Sequence, residues 1–65
     1  MKLQVKDSGA WRNVVAFDAS RTAEVEAAAA ALLRAAGGLG MAMRICDGDL
    51  VMARCEQPDC EWRTR

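Results

Sequence analysis

The chain has 65 residues, with nine Lys plus Arg against nine Asp plus Glu, so its formal net charge is zero. Of its 34 apolar residues 13 are Ala, which leaves 21 larger apolar side chains to build a core. One small domain, residues 1–65, is what that length allows; two-domain enzymes and doubly wound sheets are excluded, and stability of only a few kcal/mol is expected unless something staples or pairs the fold. The segment Met1-Lys2-Leu3-Gln4-Val5-Lys6-Asp7 has no apolar stretch and does not read as a signal peptide. The longest uncharged apolar run, Ala27 to Leu33, is seven residues, far short of the roughly 20 that span a bilayer. A cytoplasmic protein with no membrane partner is therefore expected, and its three Cys, an odd number, are expected to stay reduced.

In chain order, the first expected element is a hairpin. Leu3 and Val5 alternate with Lys2, Gln4 and Lys6, and Trp11, Asn13, Val15 and Phe17 alternate with Arg12, Val14 and Ala16. Turn residues Asp7-Ser8-Gly9-Ala10 lie between them. A two-residue turn at Ser8-Gly9 sets Leu3 against Val14, whereas matching the heavier faces sets Leu3 against Val15 and calls for a three-residue loop or a bulge. On this alternation Trp11 belongs to the core.

A helix is expected over 19–36. Val25, Ala28, Ala29, Leu32, Leu33 and Ala36 share one stripe. Asp18 or Ser20 offers an N-cap oxygen, Glu24 and Glu26 sit near the positive end of the dipole and Arg34 near the negative end, and Gly37-Gly38 stops the helix. A second hairpin follows around Asp47-Gly48, in which Ile45 faces Leu50 and Met43 faces Met52, leaving Arg44, Cys46, Val51, Ala53 and Cys55 on the other side. Pro58 ends the fourth strand, Cys60 to Arg63 extends as a short edge segment, and the side of Trp62 is open. The expected fold is α+β: a ββαββ chain with one helix packed on one face of a four-stranded antiparallel sheet.

Chemistry is sparse. With neither His nor Tyr, the commonest general base and a frequent proton donor are missing, so no enzyme is expected and no catalytic residue is named. Asp47 and Asp49 flank Gly48 as turn residues, at a hairpin tip that cannot desolvate a pair of carboxylates. Gly37-Gly38-Leu39-Gly40 follows a helix rather than opening one and so makes no phosphate cradle. Cys46, Cys55 and Cys60 are the one arrangement that suggests a metal. Zinc wants four ligands and the chain offers three thiols without an imidazole, so no metal or other cofactor is expected.

Two surfaces carry more information than any motif. The outer sheet face gathers Lys2, Lys6, Arg12 and Arg44 with Val14, Val51, Ala16 and Ala53, while acids sit at turns and helix ends. Arg12, Val14, Arg44 and Val51 are its candidate partner-binding residues. The outward side of the helix is nearly bare of charge, and Ala23, Ala27, Ala31 and Arg34 form a second candidate interface for another helix or a second copy of the chain. Nucleic acid is a weaker candidate for the sheet face, since net charge is zero and only Trp11 and Trp62 could stack on bases.

The segment Gly9-Ala-Trp-Arg-Asn-Val-Val-Ala-Phe17, then a Glu-Val-Glu and alanine helix, then a hairpin with a late Trp, resembles small accessory proteins encoded by phages and prophages of Gram-negative bacteria. The resemblance implies a stand-alone accessory protein with no catalytic residues to transfer. By class-level analogy it implies an inhibitor of a host complex, as anti-CRISPR proteins are. Zero net charge sets this chain apart from the strongly acidic nucleic-acid mimics of that class. The expected function is a non-enzymatic protein-interaction module that docks its outer sheet face on an unidentified protein. Weak nucleic-acid binding through the same face, or a small homodimer, is the alternative.

Overall fold

The computed structural model describes residues 1–64 and has the order β1 (Lys2–Asp7), β2 (Ala10–Ala16), a 3₁₀ turn (Ala19–Arg21), α1 (Thr22–Ala36), β3 (Ala42–Asp47), β4 (Leu50–Glu56) and β5 (Glu61–Thr64). One helix and a five-stranded antiparallel sheet make it α+β, with strand order β2-β1-β3-β4-β5. The four-stranded expectation falls one short. After the turn at Gln57-Pro58, whose peptide bond is cis, the chain reverses and pairs with β4 from Glu56↔Glu61 to Ala53↔Thr64.

The first hairpin satisfies both expected constraints at once. Ser8 and Gly9 take φ of 53° and 83°, the two left-handed central residues of a type I′ turn, whose twist suits antiparallel strands. Asp7 pairs with Ala10 beside this two-residue turn, and yet Leu3 pairs with Val15, because Val14 is bulged out of register. On the turn side of the bulge the faces are the reverse of those expected. Trp11 and Asn13 stand opposite Lys6 and Gln4 on the outer face, while Arg12 stands opposite Val5, a residue packed against the core. Trp11 is thus not a core residue, and Arg12 is not on the outer face.

The second hairpin departs from its expected register for the same kind of reason. Its turn is Gly48-Asp49, with Asp47 opposite Leu50, and Gly48 at φ 60° occupies the first central position, where a type II′ turn requires glycine. Met52 is the extra residue between Cys46↔Val51 and Ile45↔Ala53. Ala53 and Cys55 therefore turn inward, whereas Leu50 and Met52 stay exposed. Small inward residues suit this sheet, because a helix made largely of Ala can settle close on it.

The core gathers Leu3, Met43, Ile45, Cys55 and Cys60 beneath Ala29, Ala30 and Leu33, with Val25, Phe17 and Trp62 packed around them. Asp18 opens the helical segment by accepting the Ser20 N–H at 3.0 Å, which holds its carboxyl below the usual range through that backbone bond first and the Ser20 side chain second. The buried stripe of α1 is rotated from the expected one. Ala30 is 6% exposed and Leu32 56%, because the helix is pulled toward β5 by two bonds: Trp62 Nε1–H donates to the Glu26 carbonyl at 2.7 Å and Arg34 Nη2 to the Cys60 carbonyl at 3.1 Å.

Gln57 closes the other end of α1. Its Nε2 donates to the carbonyls of Leu33 at 3.0 Å and Gly37 at 2.8 Å, and its Oε1 accepts the Met41 N–H at 2.9 Å. Its own N–H donates to the Met41 carbonyl at 3.0 Å. One buried amide thus bonds two carbonyls at the C-terminal end of the helix and ties them to the start of β3 and the end of β4.

Replacing Gln57 by Glu keeps the shape and the bond from Met41 but sets a carboxylate oxygen against two carbonyls. Gln57→Glu should lower unfolding free energy by about 2–3 kcal/mol in urea titration near neutral pH. Part of the loss should be recovered in acid, where the protonated carboxyl donates again. An unchanged midpoint would show that the amide is not what holds the helix end.

Candidate functional site

The outer face is built from side chains that the register brings into rows across the strands. The central row runs Asn13, Gln4, Arg44, Arg54, Arg63 over all five strands. Its first half is tied together: Gln4 Nε2 donates to Asn13 Oδ1 at 2.8 Å, and Arg44 Nε donates to Gln4 Oε1 at 2.7 Å. The Arg44 guanidinium also lies 4.1 Å from the centre of the Trp11 ring, a cation–π geometry that holds it flat on the sheet. Cys46 completes the group, its thiol 3.5 Å from Gln4 Oε1.

The second half of the row is less neutral. Arg44 faces Arg54, which faces Arg63, and like charges directly opposite on a sheet repel. Arg63 is relieved by Asp59, 2.6 Å away. Arg54 has no hydrogen bond or ion pair among the described residues. Beside this basic row Glu56 faces Glu61, and on its other side Val51 is half-buried opposite Cys46. A concavity of about 800 Å³ on this side of β4 and β5 is lined by Val51, Arg54, Glu56, Glu61 and Arg63. The guanidinium groups there have an apolar margin on one side and an acidic margin on the other.

Of the expected partner-binding residues, Arg44 and Val51 lie on this face. Arg12 and Val14 do not: the bulge sends Arg12 to the side of Val5 and takes Val14 out of the alternation. Arg54, Arg63 and Trp11 take their place. A signal for Arg54 was present, since the expected pairing put it on the core face with Leu50 and Met52, where an arginine has no place. On the helix, Ala23, Ala27 and Ala31 are exposed as expected, and Arg34 is bonded to the β5 end of the sheet.

The three thiols do not assemble. Cys46 is on the outer face and Cys55 on the core face, contrary to the expected shared side. Among the described residues no group of three or more Cys, Asp or Glu could hold a metal ion. No described helix is long and apolar enough to cross a membrane. Comparison with protein families, with characterised proteins and with solved structures finds no match for this chain.

Cys55, 0% exposed, has its thiol pKa pushed up, first by burial and then by the negative charge that Cys60 would add. The folded state therefore holds this proton more tightly than the unfolded chain does. Stability is fully present below the ordinary thiol value of 9.0 and falls as pH rises through it, since unfolding then releases a proton. Urea midpoints should drop as pH rises above about 8, and the drop should be shallower in Cys55→Ala. Identical slopes for the two proteins would rule out Cys55 as the cause.

Proposed function

We propose that the protein is a non-enzymatic interaction module that docks an acidic segment of a protein partner on its outer sheet face. The observation that carries the proposal is the cross-strand row Arg44, Arg54, Arg63, in which Arg54 has no charge partner among the described residues. A row of like charges costs stability in the isolated molecule. Carboxylates on a partner would offset that cost through charge-assisted and bidentate bonds. Val51 and the Trp11–Arg44 pair supply the apolar and aromatic content that interface centres favour.

A nucleic-acid backbone fits the face less well. The Glu56–Glu61 pair borders the arginines and the chain has no net charge, so a continuous polyanion would meet repulsion along one margin. A protein surface can alternate its charges to match. The resemblance to phage accessory proteins adds a setting for this reading: a cytoplasmic protein that blocks a host assembly by covering an acidic surface.

The test uses isotope-labelled protein titrated with an acidic peptide and, separately, with a single-stranded oligonucleotide. The peptide should shift the Trp11 indole, the Val51 methyl groups and the Arg54 amide. Arg54→Glu should weaken that binding about tenfold or more, with folding stability unchanged or raised by a few tenths of a kcal/mol. Tighter oligonucleotide binding with a logarithmic salt slope near −2, for about three phosphate contacts, would replace the protein partner by nucleic acid. Shifts confined to α1 would move the site off this face.

A further inference from the structure

The sheet ends in two edges, β2 and β5. β2 is broken by the bulged Val14, and bulges blunt an edge against further pairing. β5 carries no bulge: its register with β4 runs unbroken through all four residues. Its far side offers backbone N–H and C=O groups in regular strand geometry.

The side chains on that edge are complementary to themselves. Glu61 and Arg63 point to the outer face on either side of Trp62, which points to the core. An antiparallel copy of the strand centred on Trp62 places Glu61 against Arg63 of the second copy, and Arg63 against Glu61 of the second copy. Such a pairing is isologous, each residue meeting its complement twice. We infer that the protein forms a two-fold dimer through β5, joining two five-stranded sheets into one.

The rows across the sheet support the same arrangement. Within one copy, Arg44, Arg54 and Arg63 repel in line, and Glu56 and Glu61 repel in the next line. Across the proposed two-fold axis the arginine row of one copy runs into the glutamate row of the other, and each row ends on its opposite charge.

The helix allows the approach as well. Ala23, Ala27, Ala30 and Arg34 lie along one flank of α1, and Arg34 fixes that flank toward β5 by its bond to the Cys60 carbonyl. Ala30 is buried, while Ala23 and Ala27 remain exposed beyond it. A two-fold axis normal to the sheet keeps both helices on one side, and the flanks that then approach each other carry Ala23 and Ala27, with Arg34 tied back to the Cys60 carbonyl. The dimer rests on Glu61, Trp62 and Arg63; the docking proposal shares Arg63 but is tested at Arg54, which lies off the β5 edge, so either can fail alone.

Sedimentation of the full chain tests the dimer. Wild type should associate. Arg63→Glu and Glu61→Arg should each weaken self-association roughly a hundredfold, because like charges then face each other twice. Mixed in equal amounts, the two variants should dimerise again, since the acidic edge of one meets the basic edge of the other. Hydrogen exchange of wild type adds a reading that needs no variant: amides of Glu61–Thr64 should exchange more slowly as concentration rises. A monomeric wild type, a dimer indifferent to both charge reversals, a mixture of folded variants that stays monomeric, or exchange in β5 independent of concentration would each overturn the inference.

Discussion

Two inserted residues decide which side chains this protein shows to its surroundings. A strand alternates its faces with period two, so one extra residue exchanges the faces of everything beyond it. Val14 is that residue in β2 and Met52 in β4. Both lie beside the Leu3↔Ile45 pair of the regular central strands β1 and β3. The bulges therefore sit at one level of the sheet, on either side of its middle. Beyond them toward the Ser8-Gly9 turn and the Gln57 loop, Trp11, Asn13, Arg54 and Arg63 face outward while Ala53 and Cys55 face the helix. Without the bulge in β4, Arg54 would lie under α1 and the domain could not close.

The helix is held against this sheet by three polar side chains as much as by its thin apolar stripe. Trp62 and Arg34 bond the backbone along one flank, and Gln57 caps the end. Each donates to a backbone carbonyl across the packing seam and so links α1 to the last third of the chain. With Leu33 1% exposed and alanines around it, the apolar contact alone is small. Specific bonds decide where the helix lies, and they set it toward β5 rather than over the middle of the sheet. That displacement leaves Leu32 and Val15 exposed on the β2 side and brings Ala23 and Ala27 to the β5 side.

Zero net charge is accordingly a matter of arrangement. Lys2, Lys6, Arg44, Arg54 and Arg63 share the outer face, with Glu56 and Glu61 grouped at one margin. Charge of one sign is gathered into rows, a pattern that makes a small domain less stable alone and more selective in company. Docking of an acidic segment on the row and self-pairing at its end both draw on that pattern, and Arg63 belongs to both.

Much of the local structure was legible in the residues. Asp18 and Gly37-Gly38 bound the helix, Ser8-Gly9 marked the first turn, and Arg44 and Val51 read correctly as outward. What was not legible depended on distant parts of the chain. A bulge is chosen by how two strands and a helix fit, so alternation alone placed Trp11 in the core and Arg12 outside. Nothing local marks Gln57, because the carbonyls it bonds are 24 and 20 residues away in the chain. The face assignment is the claim on which the rest stands, and cross-strand nuclear Overhauser contacts test it most directly. Contacts pairing Ile45 with Ala53 and Leu3 with Val15 are predicted; contacts pairing Ile45 with Leu50 would contradict the account.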